Sequence, residues 1–112
     1  MHELSLSQSI GQVVRKHAAG RRVEVVHLKV GQLRQVVPDS LVYCWGLVND
    51  GTECEGSVLD IDHVPATVLC DDCGSSTLLG EMRMSCGSCG SSKVKVTTGE
   101  EFLVTSIELA EA

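Results

Sequence analysis

With 112 residues, 43% of them hydrophobic, the chain suits one compact domain carrying at most a small subdomain, and two full domains are not expected. A formal net charge of -6 sets it against phosphate backbones, so nucleic acid is not an expected partner. No apolar run reaches the about 20 residues that a membrane-spanning helix needs, and Met1-His2-Glu3-Leu4-Ser5-Leu6-Ser7 lacks the basic and apolar regions of a signal peptide; a cytoplasmic protein without membrane contact is expected.

Residues 4–19 place Leu4, Ile10, Val13, Val14 and His17 near a helical stripe, with Arg15 and Lys16 late in the segment and Gly20 just beyond it. The spacing predicts an amphipathic helix. Ser5-Leu6-Ser7-Gln8 resembles a capping box, which predicts a start at Ser5, although Glu3 also suits a first turn electrostatically. Val23 to Val30 is rich in β-branched residues, and Val26, Leu28 and Val30 alternate with His27 and Lys29 as in a half-buried strand whose phase slips at Val25-Val26. Pro38-Asp39-Ser40 starts a second helix over residues 39–49, with Leu41, Cys44, Trp45 and Val48 on one face and Asn49-Asp50-Gly51 as its stop. Ser57 to Val64 alternates again, Leu59 and Ile61 against Asp60 and Asp62, before Pro65 ends the pattern.

Residues 66–97 are rich in Gly and Ser and contain no aromatic residue, so this stretch cannot build much of a core. Strand character returns from Glu101 to Leu109. The expected fold is therefore α/β: a small mixed sheet of about three strands with two helices, and an inserted zinc ribbon with four cysteine ligands. Residues 1–65 and 98–112 make the α/β domain and residues 66–97 the ribbon domain.

Within that insertion, Cys70-x2-Cys73 and Cys86-x2-Cys89 stand twelve residues apart, a spacing at which four thiolates can enclose a tetrahedral ion. Each pair is followed by glycine, which lets the backbone turn so that amide N–H groups point at sulfur. A reducing compartment favours metal over disulfides. An iron site of the rubredoxin type uses the same ligands, but the ribbon offers no aromatic shell to tune a potential, which favours zinc. Four protein thiolates leave no open position for water or substrate, so the ion is expected to be structural.

His2 stands beside the α-amine, so the amine, the His2 amide nitrogen and its imidazole can close adjacent chelate rings. Glu3, through its amide nitrogen or carboxylate, could complete a square of the kind Ni2+ and Cu2+ favour. The alternative is a solvated terminal histidine. A helix N-terminus is partly positive and discourages a cation, but deprotonating two amides would cancel the ion's charge. Structural roles are expected for His17, His27 and His63, a small core role for Cys44, and an exposed, oxidisable position in a polar turn for Cys54. No Ser/His/Asp arrangement, phosphate loop or paired-carboxylate site is legible, so catalysis is not expected.

Taken together, Met1-His2-Glu3-Leu4-Ser5-Leu6, the helix that follows and the inserted Cys-x2-Cys-x12-Cys-x2-Cys ribbon resemble the HypA/HybF family of hydrogenase nickel-insertion proteins over essentially the whole chain. The resemblance implies a nickel metallochaperone, with Zn2+ held by Cys70, Cys73, Cys86 and Cys89 and Ni2+ cargo bound through His2 with Glu3 contributing. It also implies delivery to the large subunit of a [NiFe] hydrogenase, a HypB GTPase partner and, in some members, service to urease maturation. Some members carry histidines in the zinc segment; this chain has none between Pro65 and Glu101. A zinc-ribbon adaptor that binds protein or nucleic acid without cargo metal is the alternative, and an electron carrier would require iron at the quartet. Whether Asp39 joins the nickel shell is left open.

Overall fold

The computed structural model describes residues 2–80 and 84–111; the side chain of His2 lies outside that description. Helix α1 (His2–Ala18) is followed by strand β1 (Val23–Gly31), a 3-10 turn (Gln32–Arg34), helix α2 (Pro38–Val48) and strand β2 (Val58–Val64). Strands β3 (Thr67–Cys70), β4 (Ser76–Leu78), β5 (Val94–Thr98) and β6 (Phe102–Leu109) complete the order. One sheet runs β2-β1-β6 and a second runs β4-β3-β5. The α/β expectation holds, with the short strands of the second sheet added to it. Those strands are three to five residues long, and the Gly and Ser around them hide their alternation.

The chain packs as two compact units, one comprising the chain up to Lys29, Val36–Asp62 and Leu103 onward, the other Val30–Gln35 and His63–Phe102. In the first unit Ile10, Val14 and Ala18 of α1 share a buried core with Val23, Val26 and Leu28 of β1, Leu41 and Trp45 of α2, and Leu59 of β2. The jump from Val23 to Val26 is the phase slip seen in the sequence. Trp45, 2% exposed, satisfies its indole N–H by donating to Ser57 Oγ at 2.9 Å.

Helix α1 corrects two expectations. It begins at His2 rather than Ser5, with Glu3 in its first turn, so the acidic side chain stands where the unpaired N–H groups of the helix start favour it. Its buried stripe passes through Ser7, Ile10, Gly11, Val14 and Ala18, while Leu4 and Val13 are each 47% exposed and His17 is exposed. Small residues displaced the apolar ones because α1 lies close to α2: buried Ser7 donates its hydroxyl to Leu41 O at 3.4 Å. Apolarity alone misses a stripe built partly from Ser and Gly. Helix α2 keeps the expected face, with Leu41 and Trp45 buried and Cys44 and Val48 half-buried.

In the second unit Ala66, Val68 and Leu79 form a core of three buried residues, against which Leu33, Val94 and Val96 pack. Strand β3 pairs antiparallel with β4 (Val68 opposite Thr77) and with β5 (Val68 opposite Val96). Gln32 staples this sheet: its amide donates to Leu79 O at 2.8 Å and accepts from Ala66 N–H at 2.9 Å. Nothing in the sequence pattern marked Gln32, because the demand comes from two backbone groups 13 residues apart that only the fold brings together.

Gly31 and Gly99 meet in the same unit. A Cβ on Gly99 would fall 2.6 Å from Ala66 Cα, and its φ of +111° is one that side-chain-bearing residues rarely adopt. Gly99→Ala should therefore destabilise the protein by about 2–4 kcal/mol through combined strain and overpacking. A urea titration checks this; an unchanged midpoint would contradict the contact.

Candidate metal centre

The first Cys-x2-Cys turn forms the tip of the β3–β4 hairpin. Cys70 N–H donates to Ser75 O at 2.9 Å, Gly74 N–H donates to Cys70 O at 3.0 Å, and Gly74 takes φ +77° to close the turn. The second turn repeats the pattern before β5: Cys86 N–H to Ser91 O at 2.9 Å, Gly90 N–H to Cys86 O at 2.9 Å, and Gly90 at φ +75°. These are two zinc knuckles, as the paired Cys-x2-Cys-Gly units predict. In both, the turn aims amides at sulfur: Cys73 N–H at Cys70 Sγ (3.4 Å), Ser88 and Cys89 N–H at Cys86 Sγ (3.3 and 3.5 Å).

The four Sγ atoms lie within 4.8 Å of one another. Across the knuckles Cys70 meets Cys89 at 3.6 Å and Cys73 meets Cys86 at 3.5 Å. A disulfide would need about 2.05 Å; tetrahedral zinc with bonds of about 2.3 Å would need sulfurs roughly 3.8 Å apart. The spacing fits the ion. Cys70 and Cys86 are 2% and 3% exposed, whereas Cys73 and Cys89 face solvent, so each knuckle contributes one inner and one outer thiol.

The thiols do not ionise alike. Cys86 is pulled down to about 6 by the N–H groups of Cys89 and Ser88, which stabilise its thiolate. At Cys89 the Ser91 N–H acts in the same direction, but the sulfur of Cys70, burial, and the sulfurs of Cys86 and Cys73 outweigh it and push the group up to about 12. Cys73 is lowered chiefly by hydrogen bonds from the Ser75 hydroxyl and amide. Four crowded thiols share protons until a cation replaces them, which is what a metal cage requires.

At the other end of the chain Glu3 lines an open cavity of about 470 Å3 with Leu4, Asp39, Ser40, Tyr43 and Cys44. Its carboxylate is held below the usual range by its own backbone N–H and by that of Val37, which donates at 3.4 Å. Cys44 is thus a half-buried wall of this cavity as well as part of the apolar face of α2, a placement that helix periodicity alone could not reveal.

Cys54 corrects an expectation: it is fully buried, and burial pushes its thiol up, making it inert rather than oxidisable. Its turn is tied to α2 through Ser57, whose Oγ accepts the Trp45 indole N–H at 2.9 Å and donates to Cys54 O at 2.6 Å. His17 keeps a local role, its Nδ1 donating to Val13 O at 2.9 Å, and His63 is exposed on β2. His27 clamps the first sheet: Nδ1 lies 2.8 Å from Asp60 Oδ2 on β2 and Nε2 lies 2.5 Å from Glu108 Oε2 on β6. Hydrogen bonds to Glu108 and then to Asp60 raise its pKa. The spacing of a single strand marks neither carboxylate as a partner for His27, because pairing across strands is not written in it.

This two-helix layer and four-thiolate ribbon define a small zinc-ribbon metalloprotein. Residues 1–109 match the family model described as hydrogenase/urease nickel incorporation, metallochaperone, HypA. Hydrogenase maturation factor HypA of Nostoc sp. is 37% identical over 111 residues, covering 99% of this chain and 97% of the relative. The factor of the same description from Geotalea uraniireducens is 37% identical over 109 residues, covering 97% and 99%. A solution structure of the Ni metallochaperone HypA from Helicobacter pylori shares the fold, with a TM-score of 0.68 and 24% identity over 97% of each chain. The chain belongs to the HypA family of nickel metallochaperones for hydrogenase maturation, proteins that carry metal rather than catalyse.

Two outcomes are expected. Stripping metal with a chelator should abolish amide protection in β3, β4 and β5 while fluorescence of Trp45, the only tryptophan, stays native; uniform survival of protection would contradict a metal-dependent ribbon. The raised pKa of His27 means that its stabilisation is complete below the unfolded value of about 6.5 and is lost as pH rises through the folded value. The Tm gap between the parent and His27→Gln should therefore be widest near pH 6 and close in alkali. A gap that widens with pH would reverse the assignment.

Proposed function

We propose that the cargo Ni2+ is bound at the N-terminus, by the α-amine, the His2 amide and imidazole, and Glu3, while Cys70, Cys73, Cys86 and Cys89 hold Zn2+ permanently. The observation that carries this reading is the match of the chain from residue 1 to a nickel-incorporation family, together with Met1-His2-Glu3 at its start. Three physical points support it. The start of α1 at His2 leaves the first-turn amides without intrahelical acceptors, so using one as a metal ligand costs no helix bond. Glu3 is ionised more readily than an ordinary carboxylate, as a ligand must be. The cavity beside it adds Asp39, a further oxygen donor close to the same helix start.

Nickel held by nitrogen and oxygen ligands at an exposed chain end can be handed over one ligand at a time, whereas a closed thiolate cage resists transfer. The acceptor in this reading is the large subunit of a [NiFe] hydrogenase, with a HypB GTPase as working partner and urease maturation as a second destination. The reaction compartment is the cytoplasm; among the described residues no helix is long and apolar enough to cross a membrane. Acid weakens nickel binding, because protons compete for the amine, the amide nitrogen and the imidazole.

Nickel titration of the zinc-loaded protein tests the site. His2→Ala, and separately a form with residues added before Met1, should each lose the nickel equivalent while zinc content is unchanged. Retention of parental stoichiometry and affinity in both would sink the N-terminal site.

A further inference from the structure

The two knuckles are held by more than their own turns. Ser91, on the segment leaving the second knuckle, donates its hydroxyl to Asp72 Oδ2 inside the first. The same hydroxyl accepts Lys93 N–H at 3.1 Å, so Ser91 is fixed to the start of β5. In the opposite direction, Gly87 N–H inside the second knuckle donates to Thr77 Oγ1 at 3.0 Å, and Thr77 lies on β4, the strand leaving the first. Each knuckle is thus gripped by a hydroxyl from the strand or segment that exits the other. The fit at Gly87 is close: a Cβ there would come within 3.1 Å of Thr77 Cγ2. The backbone joins the same segments, Asp71 N–H donating to Lys93 O at 2.8 Å, while a weaker ion pair, Lys95 Nζ to Asp71 Oδ1 at 3.9 Å, is largely exposed and adds little.

Strand β5 and the Asp71–Lys93 bond seat the two knuckles side by side, the reciprocal hydroxyl braces resist rotation of one cysteine pair against the other, and that angle is what a tetrahedral and a planar ion demand differently. Raw affinity does not exclude nickel, since the two ions stand close in the divalent series; geometry has to. Zinc accepts a tetrahedral thiolate set, whereas Ni2+ prefers a plane, which would require one Cys-x2-Cys pair to rotate into line with the other. Rotation breaks both hydroxyl contacts. We propose that Thr77 and Ser91, with Asp72 and the Gly87 amide as their partners, are specificity-determining positioning residues that bar cargo nickel from the zinc cage. Neither hydroxyl touches a cysteine sulfur; they act by holding the loops that carry the sulfurs. The proposal rests on the quartet being the zinc site.

The test challenges the zinc-loaded full chain with excess nickel chloride. Displaced zinc is read with a colorimetric chelator, and nickel in the cage by its thiolate-to-nickel absorption. A Thr77→Val/Ser91→Ala double variant should shift the zinc-over-nickel preference of the cage about tenfold or more toward nickel, the usual scale of outer hydrogen-bond effects on metal affinity. Thr77→Ser/Ser91→Thr, which keeps both hydroxyls, should restore the parental preference, and Asp72→Asn, which keeps an acceptor oxygen, should stay close to it. A double variant that loads one zinc, keeps its native circular dichroism and shows the parental preference overturns the inference alone. If Cys73→Ser leaves zinc content unchanged, the zinc assignment fails and the inference with it. Should the double variant not fold, the single variants carry the measurement, each with a smaller shift expected and with an unchanged preference in both counting against the braces.

Discussion

The sheet β4-β3-β5 is too small to hold itself together. Its core is Ala66, Val68 and Leu79 with three half-covered neighbours, far short of the apolar area that offsets ordering a unit of 46 residues. What remains is a pair of knuckles whose thiols crowd to 3.5–3.6 Å, an arrangement that protons stabilise poorly and a divalent ion stabilises by on the order of 10 kcal/mol in small modules. The rest of the ribbon follows from that ion. Gly74 and Gly90 turn the backbone so that amides face sulfur, Gln32 supplies hydrogen bonds to strand ends that a larger sheet would pair, and Gly31 and Gly99 permit backbone contact where a side chain would pry the elements apart.

Legibility in the sequence followed the kind of interaction concerned. Alternation exposed β1 and β2, down to the slip before Val26, because each turns one row of side chains toward the core and the other toward solvent. The cysteine spacing specified the knuckles, since ligand geometry constrains neighbours a fixed number of residues apart. Contacts between distant segments were silent. The Ser7 hydroxyl against Leu41, the His27 clamp on Asp60 and Glu108, and the Gln32 staple all pair residues more than thirty positions apart in at least one of their bonds. Ser7 and Gly11 also show why apolar spacing misplaces the buried face of α1: close helix packing selects small residues, which a hydrophobicity pattern reads as surface. Cys54 escapes the pattern for a related reason: its polar neighbours mark a turn without showing that Ser57 ties that turn to Trp45 of α2.

A metallochaperone has to keep one ion and release another, and under the proposed assignment the chain separates the two tasks chemically. Retention needs soft ligands, closure on all sides and loops that cannot rotate; the quartet has thiolates, inner and outer sulfurs from each knuckle, and hydroxyl braces running both ways. Release needs ligands that can leave singly and a neighbourhood open to an acceptor. The start of α1 has a carboxylate kept ionised by backbone N–H groups and a broad, open cavity beside it. Were the two designs exchanged, nickel would be trapped in a cage and zinc would be lost from a chain end. The absence of histidine between Pro65 and Glu101 sharpens the division: the ribbon offers no borderline nitrogen through which an ion could pass in or out, so exchange at the quartet must break a thiolate bond held against a braced loop. Under the proposed braces and site assignment, the zinc ribbon contributes to nickel handling mainly by refusing nickel.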